Sequence, residues 1–195
     1  MPPITRDSLM TLEAYSRARP EFRARVMAHK KSRTLALGGH VTLIFEDELT
    51  IRYQIQEMLR IERIYEDEGI QEELDAYNPL VPDGANWKAT MMIEYPDSEE
   101  RQRMLARLIG IEDRVWVQVT GHPRVHAIAD EDLERQNDTK TSSVHFLRFE
   151  LEPGMVRALK NGAALAVGVD HPAYNATVAG VDAATRTSLV NDLAV

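Results

Sequence analysis

The chain has 195 residues, 44% of them apolar, with no cysteine and a formal net charge of −8. That length suits one large domain or a domain with a helical annex, and the apolar content suffices for a sizeable core. The acidic balance argues against a nucleic-acid binder, which needs a Lys/Arg surplus to displace counterions. The missing cysteine excludes disulfides, thiolate nucleophiles, zinc fingers and a cysteine-ligated iron–sulfur cluster.

The opening MPPITRDSL lacks the apolar core of a signal peptide, and no apolar run approaches the ~20 residues of a membrane span, so the cytoplasm is the expected location and no membrane partner is expected. Two short helices are predicted over Ser8–Ser16 and Pro20–Lys31, with Pro20 in a first helical turn and Lys30 and Lys31 at the negative end of the second helix. Apolar runs on either side of Gly38-Gly39 predict a hairpin with strands at Thr34–Leu37 and His40–Phe45. Ile51, Ile55, Met58, Leu59 and Tyr65 recur at helical spacing, which predicts a long helix over Glu46–Glu68 capped by Gly69. A shorter helix over Ile70–Tyr77 should stop before Asn78-Pro79, because a residue preceding proline is pushed out of the α region.

The segment NPLVPDGAN is the clearest loop. It divides a helical region, residues 1–78 with the hairpin at 34–45, from a strand-rich region at 88–195, the two expected to form one compact domain. Beyond it, strands are predicted at Lys88–Tyr95, Arg114–Thr120, Arg124–Ala129, Val144–Leu151 and Leu165–Val169. Helices are predicted at Asp97–Leu108 with Asp97 or Ser98 as cap, at Pro153–Asn161 and at Ala183–Leu193. The acidic ADEDLERQND reads as one helical turn and an exposed loop. Strands joined alternately by turns and helices imply an α+β fold, a mostly antiparallel sheet with helices packed on one face; the glycine fingerprint of a parallel dinucleotide-binding sheet is absent.

Six histidines are the obvious candidates for chemistry. His122 and His126 resemble a helical metal pair, but they lie in a strand-like stretch, where four residues span ~13 Å and cannot chelate one ion. No Glu-x-x-His motif occurs, so a ferritin-like di-iron site is excluded. Glu62 and Glu66 share a helix face; the alternative is a solvated face laced with Arg60 and Arg63. In KTSSVHFLRFEL, Lys140 to Leu151, no glycine precedes Lys140-Thr141-Ser142, so there is no phosphate-binding nest. His145 shares strand parity with Leu147, Phe149 and Leu151, and such a histidine is more often a hydrogen-bonded packing residue. Its functional reading is a rim position, with Lys140 and Arg148 supplying positive charge for a small anion. Ser142 and Ser143 lie in no nucleophile elbow. His171 ends a strand, a position that serves function or a turn equally well.

Several blocks in order, FEDELTIRYQIQEMLRIERI, ELDAYNPLVPDG with KATMMIEYPD, KTSSVHFLRFEL and GVDHPAY, resemble the bacterial domain-of-unknown-function family 3501 (DUF3501). The resemblance implies a soluble bacterial protein whose gene neighbours are often those of rubrerythrin and an iron–sulfur oxidoreductase. That neighbourhood implies an accessory docking or assembly role in oxidative-stress defence, with one of those redox proteins as partner. The rival reading is a His/carboxylate metal-binding protein or metalloenzyme holding a divalent metal with His40, His145 and His171 and a carboxylate such as Glu57 or Glu62. A third is the binder of a small anion through Lys140, His145 and Arg148. A homodimer is the expected assembly, as the commonest one.

Overall fold

The computed structural model describes residues 3–194. Thr11 starts helix α1 (Leu12–Lys30), its hydroxyl accepting a hydrogen bond from the Ala14 N–H at 3.2 Å. The two predicted helices are one. Pro20 lies inside α1, and both it and Ser16, whose carbonyl would otherwise bond its missing N–H, are exposed, so water can serve that carbonyl. Burying Tyr15, Phe22 and Val26 together against Tyr53 holds the helix through the proline. Helix α2 (Glu48–Glu62) starts at Asp47, whose carboxylate accepts from the Thr50 N–H at 2.9 Å.

It ends at Arg63, in the left-handed region at φ +55°, and not at Gly69. Tyr65 is consequently 71% exposed. Gly69 falls inside the next helix, α3 (Asp67–Tyr77), which stops ahead of Pro79 as predicted. Ile4, Ile51, Ile55, Leu59 and Leu74 make a small core of this helical layer.

The hairpin is found as β1 (Thr34–Leu37) and β2 (Val41–Glu46). Gly38 turns it at φ +72°, and an added Cβ would sit 2.6 Å from the Tyr174 hydroxyl, so only glycine fits. The remaining strands are β3 (Asn86–Ile93), β4 (Val115–Val119), β5 (Arg124–His126), β6 (Ile128–Ala129), β7 (Val144–Glu150), β8 (Leu165–His171) and β9 (Tyr174–Val178). They pair antiparallel throughout, in a five-stranded sheet of order β1-β2-β3-β7-β6 and a four-stranded sheet of order β5-β4-β8-β9. Helices α4 (Ser98–Arg107), α5 (Pro153–Lys160) and α6 (Ala183–Val190) complete the α+β fold.

The strand predicted over Arg124–Ala129 divides at Ala127. Its first part pairs with β4 in the smaller sheet and its second with β7 in the larger, so this segment carries the chain between sheets. The acidic run after it forms no helical turn; it bends away and closes with a Gln136–Thr141 bridge.

The two sheets share one core. Leu43, Phe45, Trp87, Ala89, Met91, Leu147 and Phe149 from the larger meet Val115, Val117, Val119, Leu165, Val167 and Val169 from the smaller. Leu105 and Leu108 near the end of α4, Met155 and Leu159 of α5, and Leu189 of α6 belong to the same cluster. Each buried valine, leucine, methionine or phenylalanine of this set contributes roughly 1.5–3 kcal/mol of burial free energy, before the entropy that opposes it. Among the described residues no helix is long and apolar enough to cross a membrane.

Candidate metal centre

Alternation along β7 sends His145, Leu147 and Phe149 to the shared core and Phe146 and Arg148 to the opposite face. His145 lies opposite Met91 of β3 and is fully buried. An imidazole there must have partners, and both nitrogens find them. Nδ1 is 2.5 Å from Oδ2 of Asp130. Nε2 is 2.9 Å from Thr141 Oγ1, 3.1 Å from the Ser142 carbonyl oxygen and 3.9 Å from Oε2 of Glu112.

Local structure fixes each partner. Asp130 follows β6 and prolongs its pairing with β7: its N–H donates to the Phe146 carbonyl at 2.8 Å, and its Oδ1 accepts from the Phe146 N–H at 2.9 Å. Asp130 adopts φ +49°, a left-handed conformation that aspartate tolerates better than most residues. Glu112 is buried in the one-turn helix Glu112–Arg114 that leads into β4. Thr141 is buried too, its N–H donating to the Leu105 carbonyl at 3.1 Å, while the Ser142 N–H donates to the Arg135 carbonyl at 2.9 Å.

Counting hydrogens shows what this arrangement lacks. With Nδ1–H directed at Asp130, the Nε2 lone pair, the Thr141 hydroxyl, the Ser142 carbonyl and the Glu112 carboxylate converge with one hydrogen among them, that of Thr141. A cation at this point, a proton or a metal ion, would relieve the opposed lone pairs. Metal–ligand bonds of ~2.0–2.2 Å require neighbouring donors ~2.9–3.5 Å apart. The separations of 2.9 and 3.1 Å from Nε2, and 3.4 Å between Thr141 Oγ1 and Glu112 Oε2, fall in that range. The 3.9 Å from Nε2 to Glu112 needs a small inward movement of the carboxylate. Asp130 would then stand behind the imidazole, fixing its tautomer and orientation.

Glu112 and Asp130 also line a cavity of about 200 Å³ shared with Glu134, Arg135 and Gln136. Arg135 is the nearest cation, 3.4 Å from Asp130 and 2.5 Å from Asp132, with its guanidinium stacked on Phe146. Hydrogen bonding to Arg135 lowers the pKa of Asp132. Among the described residues, Glu112, Asp130 and His145 are the one group of three potential metal ligands whose donor atoms lie within 4.8 Å of each other.

Of the residues singled out from the sequence, His145 alone belongs to that group. His40 stacks on Tyr95 at 4.0 Å, with Nδ1 2.9 Å from the Glu94 carbonyl. His171 bridges the Ile109 carbonyl and the Ala173 N–H. Glu57 is taken up by Tyr15, Arg19 and Arg60, and Glu62 lies exposed at the end of α2. Nor does the anion trio assemble. Lys140 projects from the exposed loop, Arg148 points away from His145 on the other face of β7, and its charge is engaged by Glu131 and Glu150. Asp130 and Glu112 are not among those residues, and Thr141 stands there only within Lys140-Thr141-Ser142; the signal available for the two acids is a carboxylate at each end of the predicted strand pair Val115–Ala129.

A family model described as "Protein of unknown function (DUF3501)" matches residues 3–193. A solved structure from Burkholderia pseudomallei K96243, described as a novel protein of unknown function, is similar at 56% identity with a TM-score of 0.94, covering 99% of this chain and 100% of that one. No curated protein matches the chain.

Proposed function

The chain belongs to the DUF3501 family, and within it we propose that this protein binds one divalent metal ion through His145 Nε2, Glu112, the Thr141 hydroxyl and the Ser142 carbonyl. The observation that carries this reading is the gathering of the Thr141 hydroxyl, the Ser142 carbonyl and the Glu112 carboxylate around His145 Nε2, three of the four residues being buried; with the imidazole hydrogen on Nδ1, a single hydrogen is left among them. One imidazole with three oxygens and no thiolate suits manganese, iron(II) or zinc better than the softer copper(I). The redox-accessory role implied by the family's gene neighbourhood is compatible with this reading, since a His/carboxylate site requires no cysteine; in that role the protein would work in the cytoplasm beside a rubrerythrin or an iron–sulfur oxidoreductase.

The test is elemental analysis of untagged protein by inductively coupled plasma mass spectrometry, followed by titration of the metal-stripped protein with manganese, iron(II) and zinc. About one ion per chain is expected, with binding abolished in Glu112→Gln and weakened ~10–100-fold in Asp130→Asn, which alters the ring's partner on the side away from the ion. Circular dichroism verifies that both variants fold. Wild-type protein that takes up no ion, or a Glu112→Gln variant that binds as well as wild type, would overturn the proposal and leave His145 as a buried, hydrogen-bonded packing residue.

A further inference from the structure

A second cleft, of about 510 Å³, lies between the helical layer and the face of the larger sheet that points away from the shared core. Its floor is made by Lys88 of β3 and by Phe146 and Arg148 of β7, with Lys88 and Arg148 directly opposite in the ladder. Met58 of α2 and Glu73 and Tyr77 of α3 form the wall. The volume is that of a small-molecule site.

The charges in this cleft are unequally employed. Arg148 is held by Glu131 through two hydrogen bonds of 2.8 Å and by Glu150 at 2.6 Å. Lys88 and Glu73 have no such partner: among the described residues neither makes an ion pair within 4.0 Å, with each other or with any other group. Burial lowers the Lys88 pKa, and burial together with Glu62 and Glu72 raises that of Glu73, so each charge is held at a cost. A cation and an anion lining one cleft beside Met58, Tyr77 and Phe146, neither held in an ion pair, describe the complement of a ligand carrying both charges and an apolar group. A simple polyanion suits the cleft poorly, because Glu73, Asp75, Glu131 and Asp132 all lie on its walls or rim.

We propose that this cleft binds a small zwitterion of amino-acid type, its carboxylate on the Lys88 ammonium, its amine on the Glu73 carboxylate, and its apolar side chain against Met58, Tyr77 and Phe146. Neither the metal centre nor its occupancy enters the argument, and the two readings stand or fall separately.

Nitrogen-15 correlation spectra and calorimetry on the whole chain test it with L-leucine, L-methionine, L-phenylalanine and L-leucyl-L-leucine. As single-charge controls, 3-phenylpropionate, phenethylamine and inorganic phosphate are titrated alongside. Saturable binding of at least one zwitterion is expected, with shifts confined to β3, β7, α3 and the end of α2. The single-charge probes should bind at least roughly tenfold more weakly, and Lys88→Met and Glu73→Gln should each cost a comparable factor. Both side chains are partly exposed and unpaired, so these variants should melt like wild type. Three results would overturn the proposal: no zwitterionic probe binds, 3-phenylpropionate or phosphate binds as tightly as the best zwitterion, or both variants bind unchanged.

Discussion

Glu57 shows how one side chain joins two helices. Arg19 of α1 grips its carboxylate through hydrogen bonds of 2.7 and 2.8 Å, and the Tyr15 hydroxyl donates to it at 2.7 Å. The Arg19 guanidinium holds the Glu57 pKa down to about 2 from 4.5, against the upward push of burial, with Tyr15 adding to the lowering. A depressed carboxyl contributes stability that is present above 4.5 and lost as pH falls through 2. Glu57→Gln is therefore expected to lose about 2 kcal/mol at neutral pH, with the gap to wild type narrowing as pH falls from 4.5 towards 2. Urea denaturation across that range measures it.

His145 illustrates what a single strand can and cannot reveal. Its parity placed it on the apolar face, and it is buried there. Thr141 and Ser142 are its neighbours in the chain, but its carboxylate partners come from just after β6 and from the turn before β4, and the β6–β7 register that brings Asp130 alongside is not encoded in local spacing.

At the level of elements, the local signals that carried through were turn and cap chemistry. Asp97 caps α4, its carboxylate accepting from the Glu100 N–H at 2.7 Å, and Gly38 turns the first hairpin. Tertiary packing overrode the others: a shared apolar face carried α1 through Pro20, and Arg63 took a conformation that composition assigned to glycine. Strand β9 was missed because Tyr174–Val178 is short and half-exposed, with no apolar run to announce it.

The smaller sheet contains its own sharp constraint. Trp116 of β4 lies directly across Gly168 of β8, where an added Cβ would be 2.4 Å from the indole, and Arg124 stacks over the ring at 3.8 Å. Gly168→Ala must displace the tryptophan and should destabilise the protein by about 2–3 kcal/mol, with a changed tryptophan emission in the folded state. Fluorescence-monitored chemical unfolding reads both, and an unchanged midpoint would contradict the packing described.

Over the whole molecule, one guanidinium ties the end of the chain to the first hairpin. Arg33, fully buried before β1, donates to the Phe45 and Glu46 carbonyls and to Asp192 beyond α6, at 2.5 Å. Its Nε is also 3.4 Å from Asp47, which His29 approaches at 2.5 Å. Burial raises the Asp192 pKa to about 6 from 3.8, outweighing Arg33, which pulls it down. A raised carboxyl contributes stability that is complete below 3.8 and lost as pH rises through 6, so above 6 the charged Asp192 depends on Arg33. Arg33→Met should cost about 3–5 kcal/mol at pH 8, and less at pH 5, where the orphaned Asp192 can take a proton. Thermal melts at the two pH values would show a larger loss at the higher one.

The strand order of the larger sheet has a kinetic corollary. Chain leaving β2 at Glu46 returns as β3 beside it, Glu46 pairing with Lys88, so α2 and α3 form an excursion whose ends meet on one rung of the ladder. Closing such a loop costs entropy that grows only logarithmically with its length, and helices form in roughly a microsecond, well before distant strands find register. The excursion can thus condense first and deliver β3 to β2 as a pre-shortened tether, leaving the docking of β7, some fifty residues further along, as the slower search.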